Sequence, residues 1–568
     1  MDSSAFLPTS VKEVEALGWD YLDVILFNGD AYIDHPSFGA AVIGRILQQQ
    51  GYRVAIEPQP NWRDDLRDFR KLGAPRLFFG VTAGSMDSMV NHYTANLRLR
   101  SDDAYTPDGK AGQRPDYAVT VYTRILKQLY PHVPVVVGGI EASLRRLTHY
   151  DYWSDSLKPS VLIDSGADLL IYGMGDKVIC EVAKAMRNGY NAHLLRRLRQ
   201  VAFVADEKYV SRLPEGTLTL HSYEECLASK DSFCENFVKE EIESNRLEQD
   251  AVIVEKTGEK YVVVNPPHTQ LSEEELDNSF DLPYTRLPHP RYKGKAIPAY
   301  EMIKHSVNIH RGCFGGCAFC TISAHQGKFV SSRSEKSILK EVECVTKMPD
   351  FKGYVSDIGG PSANMYSIRG RDLSLCRKCV RPSCLHPVPC ANLDNDHSRL
   401  LDLYKKIRGV KGVKKAFIGS GIRYDLFEKD SDRYLREVCV HHTSGRLKVA
   451  PEHTEDHVLK LMRKPSFRLF HKLNEDFRRI CAEEGLKYQL IPYFISSHPG
   501  CTEEDMKRLS QETKSLNFRL EQVQDLTPTP MTLSSVMFYA QKDPYTGKPL
   551  YVAKDQDAKR KQKSWFFK

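Results

Sequence analysis

The chain has 568 residues, 41% hydrophobic and 27% charged, with a formal net charge of +7, a mean hydropathy of -0.44 and a pI of 8.6. That length exceeds one ordinary core and sets an expectation of two or three domains. No apolar run reaches the roughly 20 residues that a membrane span needs, the first residues carry no charged-then-apolar leader, and the small basic excess is weak ground for a nucleic-acid partner. A cytoplasmic protein without a membrane partner is expected, and its fourteen cysteines read as reduced thiols kept for ligand work rather than as disulfides.

In chain order, Asp23 to Phe27 (DVILF) reads as a buried strand, Phe38 to Gly51 as a helix and Arg53 to Glu57 as a second strand. Leu77 to Val81, Val135 to Val137 before Gly138-Gly139, and Leu169 to Tyr172 before Gly173 repeat the pattern, with helical stretches at Ala118 to Tyr130 and Lys177 to Arg187. Apolar strands alternating with helices predict a doubly wound parallel-sheet α/β domain over residues 1–213, whose ligands would bind beyond the carboxyl ends of strands. The run His149-Tyr150-Asp151-Tyr152-Trp153 reads first as a packed interdomain loop and second as a substrate surface. Asp34 and His35 are adjacent, and Gly39 lies four residues beyond the histidine, unlike the Asp-x-His-x-x-Gly signature of cobalamin-binding modules. Cobalamin is therefore set aside. No GxGxxG follows the first strand, so a dinucleotide is unsupported as well.

Residues 214–300 are charged and proline-punctuated. Lys239 to Arg246 reads as a solvated helix, Tyr261 to Val264 as a short strand, and the whole as a connecting segment, because prolines remove backbone donors and favour extended shapes.

A second α/β series is expected over residues 301–540. Strands are read at Ser306 to His310, Tyr354 to Ile358, Lys415 to Ile418, Leu447 to Ala450, Tyr488 to Ile491 and Leu520 to Gln524. Helices are read at Ser334 to Met348 with Ser334 as N-cap, Ser398 to Ile407, Ser431 to His441, Glu455 to Arg463, Phe467 to Glu484 and Glu503 to Leu516. Right-handed βα units at this spacing predict a partial (β/α)6, TIM-like barrel with its functional groups at the carboxyl ends of strands. Residues 541–568 form a basic tail that reads as disordered or loosely docked.

Just past the first of these strands, Cys313, Cys317 and Cys320 form C-x3-C-x2-C in VNIHRGCFGGCAFC. Soft thiolates select iron-sulfur clusters, zinc and copper. Three ligands are one short of a closed zinc site or a fully ligated 4Fe-4S cluster, which leaves either an open iron or a zinc ion that borrows His310 or His325. Gly312, Gly315 and Gly316 suit a tight turn. Later strand ends carry Gly359-Gly360, then Ser420-Gly421-Ile422-Arg423-Tyr424-Asp425, then Pro451-Glu452-His453. Arg423 has a planar fork that fits a carboxylate, and Tyr424, Tyr493 and Cys501 lie near strand ends. In an insertion at residues 366–397, Cys376, Cys379, Cys384 and Cys390 form C-x2-C-x4-C-x5-C. This second candidate metal site fits zinc and an auxiliary iron-sulfur cluster equally by spacing, and the neighbouring Arg377, Lys378 and Arg381 make it basic.

The cysteine loop resembles the signature of radical S-adenosylmethionine enzymes. That resemblance implies a 4Fe-4S cluster on Cys313, Cys317 and Cys320, S-adenosylmethionine bound by the open iron, and reductive cleavage to a 5'-deoxyadenosyl radical. It further implies that Gly359, Gly360, Ser420 and Glu452 bind the cosubstrate, with Arg423 a candidate for its carboxylate. Beyond the superfamily, HRGCFGGCAFC, ISAHQGKFVSSRS, SDIGGPSANMY, SGIRYD, LKVAPEHT, YFISSHPG and QVQDLTPTPMT resemble the YgiQ family of radical S-adenosylmethionine proteins. An electron donor such as flavodoxin or ferredoxin follows from that reading, with an RNA or protein as candidate substrate. Two other readings stand beside it: a metal-stabilised RNA-binding protein with zinc at both cysteine groups, and an iron-sulfur redox sensor.

Overall fold

The main strands of the first sheet, Val24–Asn28, Val54–Pro58, Phe78–Thr82 and Val135–Val137, are so apolar that both faces must be covered. In the computed structural model, which describes residues 3–189, 192–427, 431–518 and 520–568, alternate residues serve two cores. Val24, Leu26, Val54 and Ile56 enter one and Ile25, Phe27, Ala55 and Phe79 the other, as the two-residue strand period requires. Helices Gly39–Gln49 and Asp176–Arg187 cover the first face, and Ala118–Leu129 the second.

Five strands run parallel in the spatial order Val54–Pro58, Val24–Asn28, Phe78–Thr82, Val135–Val137, Leu169–Ile171. Val201–Ala205 then adds antiparallel. The segment expected to be a mere connection corrects the reading of the sequence at this point. Lys260–Val264, Ile253–Thr257 and Leu218–Thr219 extend the same sheet to nine strands. Val262 and Val263 are buried on opposite faces, which offsets the cost of ordering so charged a stretch. The His149 run, expected as a packed loop, is packed but partly regular: His149–Asp151, buried, pairs with Ser156–Lys158 in a hairpin.

The chain divides into two compact units. The first holds the chain through Lys239 together with Glu248–Thr269 and Asn278–Lys304, and the second holds Glu240–Leu247, Gln270–Asp277 and His305–Lys568. In the second, strands follow one another in parallel register. Ser306–Asn308 lies beside Asp357–Gly359, Tyr354–Val355 beside Lys415–Ala416, Ile422 bridges Val449, and Arg446–Glu452, Gln489–Ser496 and Gln522–Asp525 form one three-stranded ladder. Between them run Glu335–Thr346, Ser398–Arg408, Ser431–His442, Phe467–Glu483 and Glu503–Ser515. Ile338, Val342, Leu403, Tyr404, Phe470 and Leu509 of these helices share one core with Val307, Ile358 and Val449 of the strands. Ser334 caps its helix by accepting the Ser337 N–H at 3.1 Å.

The expected loose tail is a second correction. Gln556–Ser564 is a helix whose buried face is polar: Gln562 donates to the Cys501 carbonyl at 2.8 Å and accepts from the Ser497 N–H at 2.9 Å. Phe566 is buried against Phe494.

Candidate functional site

Parallel strands bring their carboxyl ends to one edge, so the loops there meet without any single loop being long. The first strand stops at Asn308; His310–Arg311 then turns to pair antiparallel with Ser331–Ser332. This turn releases the backbone into the cysteine loop. Gly312 has φ +87° and a Cβ there would fall 2.2 Å from the Phe329 carbonyl, while Gly316 has φ +59° and its Cβ would fall 2.2 Å from the Pro382 carbonyl. Neither space nor conformation admits another residue at these two points.

The loop is anchored from all over the second unit. Cys313 N–H donates to Gly327, Ala318 N–H to Met462, and Cys320 N–H to Cys317 (3.1, 3.0 and 3.1 Å). Ser323 Oγ donates to the Cys313 carbonyl at 2.8 Å and Ser383 Oγ to the Gly315 carbonyl at 2.7 Å. Cys384 N–H donates to Phe314 and Ser534 N–H to Ala318 (3.0 and 2.9 Å). Three thiols are thereby held on one rigid turn. Burial pushes the Cys313 thiol up to about 11, against the pull of Arg423, and the Cys320 thiol to about 12. Thiols so disfavoured as free thiolates are released from their protons by a metal cation.

At the second strand end a Cβ on Gly360 would lie 2.5 Å from the His310 ring, and one on Gly359 2.7 Å from Ser420 Oγ. The Gly359 carbonyl takes the Ile309 N–H at 2.8 Å as its strand partner. Ser420 Oγ and the Gly419 N–H both donate to Asp357, which ties the second and third strand ends together. Burial raises the Asp357 carboxyl, opposed by those donors.

Glu452 stands in the left-handed region at φ +71° at the end of the fourth strand, beside a break in register between Val449 and Glu452. A non-glycine residue held there costs of order 1 kcal/mol and persists where the surroundings impose it. Its buried carboxyl lies 4.0 Å from the Lys464 ammonium. Burial raises its affinity for a proton; Lys464 and Arg423 oppose.

Arg423 is placed otherwise than expected. Its Nε and Nη2 are bound to Asp425 at 2.9 and 2.5 Å, and its Nη1 donates to Cys317 Sγ at 3.2 Å. Asn364 fixes it from both sides, accepting the Arg423 N–H at 2.7 Å and donating to the Arg423 carbonyl at 2.9 Å. A fork so engaged belongs to the cysteine loop, not to a free carboxylate.

Two residues were not legible as site groups. His310, expected only as a fourth zinc ligand, is 1% exposed with neither ring nitrogen hydrogen-bonded, and burial lowers it to about 3, so its ring is neutral. Lys464 follows Arg463, itself paired with Glu241 at 2.6 Å, and is recognisable only from its position against Glu452. Tyr424 is buried and its hydroxyl has no partner; Tyr493 is half-buried. Cys501 is buried 3.4 Å from His453 Nε2, whose Nδ1 accepts the Glu455 N–H; that tautomer makes the imidazole a donor to the sulfur, so the pair is packing, not a base and nucleophile.

Comparison with known proteins gives three results. A family model described as Radical SAM N-terminal matches residues 6–306. A UPF0313 protein of Porphyromonas gingivalis is 60% identical, with 99% of this chain and 90% of that protein covered, and the UPF0313 protein YgiQ of Escherichia coli K12 is 43% identical over 98% and 83%. Among solved structures, the radical S-adenosylmethionine methyltransferase TsrM from Kitasatospora setae, with cobalamin and a [4Fe-4S] cluster bound, is similar in fold at a TM-score of 0.50 and 15% identity, covering 90% of this chain and 74% of that one. Among the described residues no helix is long and apolar enough to cross a membrane.

Proposed function

This chain belongs to the UPF0313 (YgiQ) family, and from that premise we propose that it is a radical S-adenosylmethionine enzyme in which Cys313, Cys317 and Cys320 hold a 4Fe-4S cluster. The observation that carries the reading is the meeting, at one edge of a parallel strand series, of a three-thiol loop with the Gly359-Gly360 cradle and the strained, buried Glu452. The strand order supports a partial (β/α)6 barrel, and on such a barrel this edge is where function sits.

The residues present fit the two groups. Three thiols leave one iron of a cluster open, and the narrow Gly359-Gly360 turn lets a ligand's polar head approach the backbone. The unpartnered His310 ring and the buried Glu452 carboxylate supply hydrogen-bonding capacity that a nucleoside and an amino acid head would use. When bound, the cluster supplies the electron that cleaves S-adenosylmethionine to methionine and a 5'-deoxyadenosyl radical. The protein's own part is to hold and exclude. Glu452 would accept from ribose hydroxyls with Lys464 setting the charge opposite it, Ser420 and Asp357 would fix the floor, and Arg423 would neutralise and orient Cys317. A flavodoxin or ferredoxin would be the electron source.

Cobalamin, named for TsrM, is not carried over. In a sheet of this order, ligands bind in the crevice beyond the carboxyl ends of Val24–Asn28 and Phe78–Thr82, whose onward connections pass to helices on opposite faces. That crevice is filled by the fully buried Arg114, 2.8 Å from the Ala83 carbonyl, 2.9 Å from Asp30 and 3.1 Å from Asp103. A Cβ on Gly29 would already fall 2.2 Å from the Ala83 carbonyl.

Anaerobically isolated protein, reduced with dithionite and given S-adenosylmethionine, is expected to form 5'-deoxyadenosine, and a Cys317→Ala variant to form none. A protein that carries zinc and no iron would overturn the reading.

A further inference from the structure

The insertion that carries Cys376, Cys379, Cys384 and Cys390 is folded, not slack. Helix Leu373–Lys378 presents Cys376, and Arg369–Gly370 pairs with Leu393–Asp394 across the base of the loop. Cys379 N–H donates to the Cys376 carbonyl at 3.1 Å and Cys390 N–H to the Cys384 carbonyl at 2.8 Å, which draws the cysteines toward one another in pairs. Gly370 is needed beneath them, since a Cβ there would fall 2.4 Å from Cys376 Sγ.

Three of these cysteines, Cys376, Cys384 and Cys390, line a cavity of about 320 Å³ together with Phe314, Ile368 and Leu393. Donors already point at the sulfurs: Asn392 Nδ2 at 3.4 Å from Cys376 Sγ and the Arg381 N–H at 3.5 Å from Cys379 Sγ. Lys328, 3% exposed, puts a buried cation beside the group, its ammonium donating to the Arg381 carbonyl. Thiolates, N–H···S donors and a neighbouring cation are what stabilise the net negative charge of a thiolate-bound centre.

Size decides which centre. Four thiolates on one zinc at about 2.3 Å close to roughly 4 Å of one another and enclose no void. Among the described residues, the group of three or more metal-ligand side chains whose ligand atoms all lie within 4.8 Å of one another is Glu455, His457 and Asp505, so no three of these cysteines come so close. A cubane needs its thiolates further apart and fills space between them. We propose that Cys376, Cys379, Cys384 and Cys390 hold a second, fully ligated 4Fe-4S cluster. With every iron capped by protein it has no open position for a substrate, so its chemistry is confined to accepting and passing single electrons. Its setting suits that: Cys313, Cys384 and Cys390 pack against one apolar group that includes Phe314, Met365 and Leu385.

The proposal is independent of the radical reaction, and its test is read in metal, not turnover. A Cys313→Ala, Cys317→Ala, Cys320→Ala chain, isolated anaerobically from iron-replete cells, is expected to retain about four iron and four sulfide per chain, with a dithionite-reducible signal in electron paramagnetic resonance. Zinc in place of iron, or neither metal in a chain with unchanged circular dichroism, would overturn it. Should that triple variant fail to fold, Cys379→Ser with Cys384→Ser in the otherwise intact chain gives the same answer: iron is expected to fall by about half, and iron unchanged from wild type would overturn the proposal.

Discussion

Arg423 shows how a side chain's role follows from what already occupies it. Its fork is spent on Asp425 and its remaining donor on Cys317. Arg423→Gln would leave a buried Asp425 carboxylate without its partner, a loss of about 3–5 kcal/mol, measurable by urea denaturation. In the iron-loaded protein the same variant would shift the midpoint potential of the cluster proposed on Cys313, Cys317 and Cys320 downward in a potentiometric titration, since N–H···S bonds and nearby positive charge favour the reduced form. Glu452→Gln keeps the size of the side chain and removes the charge that, on the proposed reading, would attract ribose hydroxyls. Binding of S-adenosylmethionine by isothermal titration is expected to weaken by roughly tenfold to a hundredfold, the worth of one or two charge-assisted hydrogen bonds; unchanged affinity would remove Glu452 from the site. The cysteine trio, Gly359-Gly360 and Glu452 could be singled out in sequence as candidates because each is a short pattern beside a strand. Arg423 was misread because its partner sulfur lies 106 residues away, and the isolation of His310 is a property of its neighbours, which no local pattern records.

Elements tell a similar story. The alternating apolar series made both α/β arrays readable, whereas the edge of the first sheet was not. Ile253–Thr257 and Lys260–Val264 carry Glu255, Lys256 and Lys260, so their charge resembles a linker. Only the pairing with Val201–Ala205 shows that Val262 and Val263 are core. The C-terminal helix escaped for the opposite reason: its buried face uses Lys559 and Gln562, residues that hydropathy assigns to solvent, and it is held by hydrogen bonds to the backbone of Ser497 and Cys501. Phe566→Ala is therefore expected to destabilise the protein by about 3 kcal/mol, visible as a lower thermal midpoint. A surface role for the tail would leave that midpoint unchanged.

Across the whole molecule, many histidines are held neutral. Burial lowers His149, His310 and His453 to about 3 and His289, His386, His397 and His498 to about 4. Unfolded histidine titrates near 6.5. Below that pH the unfolded chain takes up protons the folded one refuses, so stability present above about pH 6.5 is lost progressively as pH falls toward 3–4. Glu57 acts with the opposite sign. Burial raises it to about 8 despite Lys71, so its contribution is complete below about 4.5 and is lost as pH rises through 8. Denaturation midpoints measured from pH 8 to pH 4 are expected to fall on the acid side, and Glu57→Gln to flatten the alkaline limb. Rising stability on acidification from 6.5 would contradict this balance.

The anchoring of the cysteine loop also sets an order of events in time. Ser534 N–H closes onto the Ala318 carbonyl and Ala318 N–H onto Met462, so the loop is complete only after roughly 200 further residues have been made, some 10–40 s of synthesis at ordinary rates. Through that interval the thiols belong to an unfinished enclosure. A metal received by the completed loop is therefore taken up only after translation has passed Ser534, the anchor latest in the chain among those described.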